Sequence, residues 1–343
     1  MKSKRCCMIA DKAVQYYKNE DEGRLRCLVC PHNCGLKEGQ RGICRVRLNR
    51  GGQLITLNYG EVSSLAMDPI EKKPLYHFHP GSMILSAGSW GCNLSCPFCQ
   101  NYSIAHQIPA TRYINPDELL EISLACREQG SIGLAFTYNE PFMWLEYIMD
   151  AGPRLHEQGL KVVLVSNGYI ELEPLLDLLA FVDAFNIDLK GFSDRFYQRF
   201  CMGKLAAVQN TLAAIAGKAH LEVTNLLIPG ENDNDEEINS MCRFLADLDP
   251  RIVLHFSRYH PAYKMKLPPT PADTLQRAAN IAREYLDHVY LGNLPGAEND
   301  SYCPYCRQVL ISRSGYKVEK SGLVQGSCRY CGEDIPYIID DTY

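Results

Sequence analysis

The chain has 343 residues, of which 46% are hydrophobic, and a formal net charge of −5 at pH 7. This length allows one domain of about 200–250 residues together with one or two small modules. The acidic balance offers nucleic acid and anionic membranes no basic surface, and no apolar run approaches the roughly 18 residues of a membrane-spanning helix. We therefore expect a cytoplasmic protein that binds neither nucleic acid nor membrane.

Eleven of the 16 cysteines lie in three groups along the chain. Four lie between residues 27 and 44, three between 92 and 99, and four between 303 and 331. Cys-x2-Cys pairs are too close in sequence for a disulfide framework and are typical of shared metal ligands. We therefore predict a reduced protein with three metal sites.

The N-terminal part divides into three predicted segments. Residues 1–26 are polar and look helical. The next segment has the spacing Cys-x2-Cys-x3-Cys-x9-Cys, formed by Cys27, Cys30, Cys34 and Cys44. Residues 67–82 (MDPIEKKPLYHFHPGS) contain prolines and no period, which predicts an ordered connector.

The four thiolates of the N-terminal segment make a closed site, either structural zinc or a second iron–sulfur cluster. We favour zinc, because a small glycine-rich segment cannot build a core of its own and a metal would supply the missing stability. His32 is a substitute ligand in principle, although an exposed position is the more common one for such a histidine.

From about residue 82 the pattern becomes strand, loop and helix in repetition. Short runs rich in branched residues predict strands buried on both faces, at Met83–Ala87, Ile132–Phe136, Val162–Val165, Phe185–Leu189, Leu221–Ile228 and Ile252–Phe256. Helix starts are predicted at Asn115-Pro116, after 233–235 and at Thr270-Pro271. This alternation predicts a parallel sheet, and six units predict an incomplete α/β barrel.

The loop after the first predicted strand holds three cysteines, Cys92, Cys96 and Cys99, in a Cys-x3-Cys-x2-Cys spacing. Gly91 allows the loop to leave its strand sharply. Three thiolates on a four-iron cluster leave one iron without a protein ligand, open to a small molecule. A zinc knuckle that lacks its fourth ligand is the alternative.

Polar residues collect at the ends of the other predicted strands. They are Thr137–Pro141, Ser166–Gly168, Asp188–Lys190, Glu222 with Thr224 and Asn225, and His255–Arg258. The chemistry of parallel α/β barrels lies at the carboxyl ends of the strands. We therefore predict one functional site at that edge.

The C-terminal part holds two Cys-x2-Cys pairs, Cys303 with Cys306 and Cys328 with Cys331, around a short hairpin. This spacing predicts a zinc ribbon, with an auxiliary iron–sulfur cluster as the alternative. Its charges are mixed in sign, which favours a structural or docking role over nucleic-acid binding.

The cysteine loop, with Phe98 before its last cysteine, resembles the signature of the radical S-adenosylmethionine (SAM) superfamily. The resemblance implies that the open iron binds the amino and carboxylate groups of SAM. It also implies that one electron from the [4Fe-4S] cluster breaks SAM into methionine and a 5′-deoxyadenosyl radical.

A closer resemblance is to pyruvate formate-lyase activating enzymes. Their Gly-Gly-Glu-Pro motif is matched by Tyr138-Asn139-Glu140-Pro141, which implies Glu140 as the partner of the SAM amino group, with both glycines replaced. The same motif and further matches imply SAM contacts for Asn139, Ser166, Asn167, Asp188, Lys190 and His255. Lys190 would offset the carboxylate charge, and His255 would lie near the ribose.

The whole chain is similar to the radical SAM enzyme of the AmmeMemoRadiSam system, through strings such as CPHNCGLKEGQRGICRVR, IPGENDNDEE and HFSRYHPAYK. The expected organisation is an N-terminal cysteine-rich module and connector (1–80), a radical SAM partial (β/α)6 barrel (81–295) and a C-terminal zinc-ribbon-like module (296–343). The resemblance implies Memo-type and Ammecr-type partners and an electron donor such as flavodoxin or ferredoxin.

The predicted function is hydrogen abstraction from an unidentified substrate, and the extra metal modules favour a small molecule. The alternatives are an activating enzyme that acts on a glycyl-radical enzyme and a non-catalytic iron–sulfur electron carrier. Residues 70–80 and 258–268 are expected to act as lids. No second catalytic residue is assigned, although Cys201, Tyr138 and His260 are candidates.

Overall fold

The computed structural model describes residues 12–340. Its N-terminal module is built from short antiparallel strands around Cys27, Cys30, Cys34 and Cys44. One sheet joins β1, β6 and β5, a second joins β2, β3 and β4, and β7 pairs with β10. The bounds are β1 Lys12–Ala13, β2 Tyr17–Asn19, β3 Leu25–Cys27, β4 Gly35–Leu36, β5 Arg47–Arg50, β6 Gln53–Thr56, β7 Glu61–Val62 and β10 Arg112–Tyr113.

The helix predicted over 1–26 is wrong for residues 12–26, and residues 1–11 lie outside the described residues. Leu25 and Cys27 are buried while Arg26 between them is more exposed, which is the period of a strand. The strand β3 pairs on one side with β2 and on the other with β4. Strand pairing around the cysteine turns therefore determines the structure of this polar stretch, in place of the predicted helix.

The centre of the chain is a sheet of eight strands in the order β16-β15-β14-β13-β12-β11-β9-β8. All neighbours from β9 to β16 are parallel, and β8 is antiparallel to β9. The strands are β8 Ser64–Pro69, β9 Met83–Gly88, β11 Ser131–Phe136, β12 Lys161–Ser166, β13 Ala184–Asp188, β14 His220–Leu227, β15 Val253–Arg258 and β16 Val289–Gly292.

The predicted parallel α/β sheet is thus confirmed, with one parallel strand more than the six expected. Each of the six predicted runs falls on an observed strand with end shifts of one or two residues. The additional strand β16 has four residues, too few to show a clear pattern in the sequence. The curvature of the sheet into a partial barrel stays a prediction.

The helices of the chain lie between these strands, as predicted. The bounds are α1 Tyr102–Ala105, α2 Pro116–Ala125, α3 Leu145–Glu157, α4 Leu172–Leu178, α5 Asp194–Phe196, α6 Leu205–Ile215, α7 Asp235–Leu248 and α8 Ala272–Ala282. Asn115 caps α2 by accepting a hydrogen bond from the Glu118 amide, and Asn234 caps α7 in the same way from Glu237. One π-helical turn, Tyr197–Cys201, follows α5.

The connector packs against the parallel strands. Ile70, Leu75 and Phe78 form one buried cluster with side chains from four neighbouring strands, Ile84, Ala135, Val163 and Ala184. The amides of Tyr76 and His77 donate to the carboxylate of Glu222 on β14. Residues 70–80 are therefore packed against the sheet, and this packing does not favour the movement of a lid that was expected of them.

The C-terminal module has its own small core, which includes Cys303, Cys328 and Leu310. Its strands are β17 Ser301–Tyr302, β18 Val309–Ser314, β19 Lys317–Glu319, β20 Leu323–Val324 and β21 Ser327–Cys328. A parallel bridge between Phe78 and Ile339 attaches the module to the connector. Because β8 also belongs to the central sheet, the boundary expected at residue 80 lies inside a packed region, and the domain limits stay a prediction.

Among residues 12–340, no helix combines the length and the apolar character needed to cross a membrane.

Candidate functional site

One cavity of about 250 Å³ lies at the carboxyl ends of the parallel strands. The three cysteines of the loop after β9 line it, and so do polar residues from the ends of β11, β12 and β13. Six of the seven predicted SAM-binding residues are in its wall, namely Asn139, Glu140, Ser166, Asn167, Asp188 and Lys190. Residues far apart in sequence thus meet at one place, as the strand-end rule requires.

The cysteine loop is fixed by its glycine. Gly91 has φ of 91°, a conformation that other residues rarely adopt, which confirms the sharp departure from the strand. A Cβ at this position would lie 2.6 Å from Cγ1 of Val46 and 3.0 Å from the carbonyl oxygen of Cys44. The loop therefore packs directly against the N-terminal module.

Asn139 holds the loop from the other side. Its Oδ1 accepts a hydrogen bond of 2.9 Å from the Ser89 amide, and its Nδ2 donates to the Gly91 carbonyl at 3.1 Å. Both polar atoms of the side chain are therefore used to position the loop. This gives Asn139 a supporting role, whereas the resemblance implied a contact with SAM.

The thiols of the loop are largely removed from water. Burial raises the pKa of the Cys92 thiol well above its usual range, and a hydrogen bond with Cys201 together with burial does the same for Cys96. Thiols in such surroundings stay protonated unless a metal replaces the proton. Cys201, on the π-helical turn, is thus a direct neighbour of the loop.

Glu140 is the acidic group of the cavity and is 3% exposed. Its carboxylate accepts hydrogen bonds from the Ser166 hydroxyl at 2.7 Å, the Asn167 amide at 2.9 Å and the Phe142 amide at 3.0 Å. Burial raises the pKa of Glu140 to about 7, although these hydrogen bonds oppose the rise. A cation bound beside it would restore the charged form.

Asn167 connects the acidic group to the cysteine loop. Its amide donates to Glu140, and its Nδ2 lies 3.6 Å from Sγ of Cys92 and 3.0 Å from Oδ1 of Asn93. The turn after β12 therefore places one side chain between the carboxylate and a thiol.

Lys190 is the basic group of the cavity and forms an ion pair of 3.0 Å with Asp188. Burial alone would lower its pKa, but the negative charge of Asp188 beside it raises the pKa well above the usual value. Lys190 is therefore a permanent cation beside the cysteines, as needed to balance either a carboxylate or thiolates.

Tyr138 occupies the first glycine position of the motif implied by the resemblance. It has φ of 74°, in the left-handed region that glycine favours, so the backbone shape is retained without glycine. Its hydroxyl donates to Asp68 at 2.6 Å, and Lys73 of the connector lies 5.2 Å from its ring centre. These contacts stabilise a strained position next to Glu140.

His255 is not in the wall of this cavity. It is 2% exposed, and its Nε2 lies 2.6 Å from the carboxylate of Glu222, which also contacts His220. Burial would raise the pKa of Glu222, but hydrogen bonds from the two histidines lower it well below the usual range. The structure thus gives His255 an internal partner, and its predicted contact with the ribose stays untested.

The cavity wall also contains one residue, Asn293, that the sequence did not single out. Asn293, after β16, donates from Nδ2 to the Ser257 hydroxyl at 2.8 Å, and both line the cavity. Pro97 of the cysteine loop accepts hydrogen bonds from the amides of Lys264 and Met265. The segment 258–268 therefore contacts the loop, and its action as a lid stays a prediction.

The C-terminal cysteines have the geometry of a site for one ion. Sγ of Cys303 lies 3.7 Å from that of Cys331, and Sγ of Cys306 lies 3.6 Å from that of Cys328. Four sulfurs at about 2.3 Å from a tetrahedral zinc would be about 3.8 Å apart. The quartet therefore fits a zinc ribbon.

Among residues 12–340, this quartet is the one group of three or more potential ligands whose atoms all lie within 4.8 Å of one another. The three sulfurs of the cysteine loop do not form such a group. A multi-iron cluster does not require one, because each of its thiolates binds a different iron.

Comparisons with known proteins agree with this site. A profile of the Radical SAM superfamily matches residues 89–245. The uncharacterized protein MJ0808 of Methanocaldococcus jannaschii is 40% identical over 340 residues, which cover 96% of this chain and 100% of MJ0808. MJ1227 of the same organism, named as a candidate glycyl-radical enzyme activating enzyme, is 22% identical over 60% of this chain and 88% of its own length.

The solved structure of Streptococcus suis SuiB bound to S-adenosylmethionine has a TM-score of 0.50 and 12% identity, covering 64% of this chain and 50% of SuiB. This likeness concerns the fold alone. The matched profile spans the cysteine loop and the strands β11 to β14 that line the cavity. Its superfamily implies a [4Fe-4S] cluster and SAM, and the cavity offers three spaced thiols, an acid and a base for them. The chain belongs to the radical SAM superfamily.

Proposed function

We propose that this protein cleaves SAM reductively at a [4Fe-4S] cluster on Cys92, Cys96 and Cys99 and uses the resulting 5′-deoxyadenosyl radical to abstract hydrogen from a small molecule. The observation that carries the proposal is the convergence of three thiols, Glu140 and Lys190 on one cavity. SAM carries an ammonium, a carboxylate and a sulfonium, so it needs both an acidic and a basic partner.

The roles of the residues follow from their positions. Glu140, held by Ser166 and Asn167, receives the ammonium, and Lys190 balances the carboxylate. Cluster and SAM supply the radical chemistry. The protein holds SAM in place and keeps water away, because Glu140, Cys96 and Phe98 in the wall are all at least nine-tenths buried.

A second cavity supports a small-molecule substrate. It has a volume of about 590 Å³ and shares Gln100 and Asn293 with the first cavity. Its wall includes Arg313 and Tyr316 of the C-terminal module. We propose that the sheet curves into a partial barrel whose mouth is formed here, so that this module helps to enclose the substrate.

The main alternative is an activating enzyme for a glycyl-radical protein. The name of the relative MJ1227 supports it, at 22% identity. An enzyme that activates a protein needs an open mouth for a polypeptide, whereas the C-terminal module takes up part of the wall here. A non-catalytic electron carrier is the remaining alternative, and it would not need Glu140 or Lys190 beside the thiols.

We further propose that the protein acts in the cytoplasm, apart from nucleic acid and membrane, as the radical SAM enzyme of an AmmeMemoRadiSam system. Memo-type and Ammecr-type proteins would be its partners, with flavodoxin or ferredoxin as electron donor. The similarity of the sequence motifs supports the system, and the free thiols of all 14 described cysteines support a reducing compartment.

An anaerobic assay tests the reaction. The protein is reconstituted with iron and sulfide, given SAM and a strong reductant, and analysed for 5′-deoxyadenosine beside Cys96→Ala and a control, Cys126→Ala, which lies outside the three cysteine groups. We expect product from the native protein and the control but not from Cys96→Ala. A native protein that carries the cluster and forms no product would contradict the proposal and favour the electron carrier.

The same assay separates the substrate classes. Addition of extracts fractionated by size should raise the yield of 5′-deoxyadenosine only with the small-molecule fraction. A rise with a glycyl-radical protein, together with its glycyl radical signal in electron paramagnetic resonance (EPR), would establish the activating enzyme instead.

A further inference from the structure

The N-terminal quartet, Cys27, Cys30, Cys34 and Cys44, surrounds a small cavity of its own. Three of these thiols are buried and Cys34 is partly buried. Gly42 lies between them, since a Cβ there would be 3.5 Å from Sγ of Cys44 and 3.8 Å from Sγ of Cys34. The four side chains therefore point to one enclosed place.

The spacing of these sulfurs differs from that of the C-terminal quartet. Among residues 12–340, no three N-terminal thiols lie within 4.8 Å of one another, whereas all four C-terminal thiols do. The same holds for the cysteine loop that the superfamily uses for a four-iron cluster. The N-terminal quartet is therefore not drawn together around one point as the C-terminal quartet is, and in this respect it resembles the cluster loop.

A buried arginine gives a second, independent indication. Arg47 lines the cavity and is 1% exposed. Its Nη1 donates to Glu146 at 2.5 Å, but its Nε and Nη2 have no hydrogen-bond partner. Two unsatisfied guanidinium donors in the core are costly unless a bound group accepts from them. The sulfides and thiolates of a cluster are suitable acceptors, and its negative charge suits a cation.

The site lies directly behind the radical-forming loop. His32 is two residues from Cys30, and its Nε2 lies 2.7 Å from the carbonyl oxygen of Asn93, the residue after Cys92. The Cys44 carbonyl and Val46 lie against Gly91. One hydrogen bond and a few covalent bonds therefore connect the two groups of cysteines.

We propose that Cys27, Cys30, Cys34 and Cys44 hold a second four-iron cluster, in place of the zinc expected from the sequence, positioned to exchange single electrons with the cluster on Cys92, Cys96 and Cys99. A low-potential one-electron donor supplies the electron, which moves between the two clusters without a change in bonds or protons. Only the exchange rests on the proposed function, since the metal content of the quartet can be measured without SAM cleavage.

The first test removes the loop cluster and counts metals. The variant with Cys92→Ala, Cys96→Ala and Cys99→Ala is purified and reconstituted without oxygen, and iron, zinc and Mössbauer spectra are measured. We expect about four irons in a cubane spectrum and one zinc per chain. Two zinc ions and no iron would overturn the proposal. The N-terminal ligands are intact in this variant, so its result does not depend on refolding of the quartet.

The second test asks whether the clusters are neighbours. The complementary variant carries Cys30→Ala and Cys34→Ala, and Cys126→Ala is the control. We expect the EPR spectra of the reduced native protein and of the control to show splitting from magnetic coupling between the two clusters. This splitting should be absent when the spectra of the triple variant and of the complementary variant are added together. A native spectrum equal to that sum would overturn the electron exchange. If the complementary variant does not fold, power saturation is compared between the native protein and the triple variant, and equal saturation would overturn the exchange.

Discussion

The role of Glu140 can be tested by Glu140→Gln, which removes its charge and keeps its size. The carboxylate is buried and accepts three hydrogen bonds, so it is well placed for a charge-assisted hydrogen bond to the SAM ammonium. Hydrogen bonds to charged groups contribute about 1.5–3 kcal/mol, which corresponds to a loss of SAM affinity of about 10- to 150-fold. Equilibrium dialysis of SAM against the cluster-loaded protein measures it.

The pH dependence provides a second measure of the same carboxylate. Because its pKa is raised to about 7, about one tenth is ionised one pH unit below that value and about nine tenths one unit above. SAM affinity of the native protein should therefore rise about tenfold from pH 6 to pH 8, and that of Glu140→Gln should stay flat. The exposed Glu128→Gln serves as control. Equal affinities and parallel pH profiles for native protein and Glu140→Gln would refute the assignment.

Three further predictions concern the surroundings of the site. Gly91→Ala should lower the free energy of unfolding by about 2–4 kcal/mol, because of the positive φ at this position and the clash with Val46. In urea unfolding, the additional substitution Val46→Ala should recover part of this loss, and simple additivity of the effects of the two substitutions would contradict the clash. Cys306→Ser should release about one zinc per chain and lower the melting temperature, and an unchanged zinc count would contradict the ribbon site. Because the pKa of Glu222 is lowered in the folded protein, its ionised carboxylate stabilises the fold at pH values above the ordinary glutamate pKa. This stabilisation is lost as the pH falls through the pKa of the folded state. Glu222→Gln should therefore be less stable than the native protein at pH 7 by about 1–3 kcal/mol, with a gap that narrows in acid; a constant gap would contradict a stabilising role for the hydrogen bonds between the Glu222 carboxylate and the two histidines, His220 and His255.

Much of the fold is predictable because its strands are buried on both faces. Continuous apolar runs such as Val162–Val165 and Ile252–Phe256 have no other explanation in a chain of this composition. The N-terminal module is different, since short strands paired around turns determine it and leave no hydrophobic period. The packing of residues 70–80 could not be predicted either, because three charged residues and one proline separate Ile70 from Leu75, and no period links them to Phe78.

The site was predictable to the extent that strand ends could be located. Six of the seven SAM-binding candidates meet at one cavity, although the contacts themselves stay predictions. His255 shows the limit of this reasoning. Its position at a strand suggested the cavity, but Glu222, two strand positions before Thr224 on the neighbouring strand, binds it in the interior. Asn293 escaped notice because its strand is short.

The bridge between Phe78 and Ile339 attaches the C-terminal module, which contributes Arg313 and Tyr316 to the wall of the second cavity, to the connector. The Ile339 amide donates to the His77 carbonyl at 2.8 Å, and the amide of His77 itself donates to the Glu222 carboxylate at 2.7 Å. Loss of the proposed zinc would therefore loosen the ribbon, then the connector, and then the second cavity. The enzyme would depend on two metal supplies in the cell, and a shortage of zinc would reduce its turnover even when iron, sulfide and SAM are plentiful.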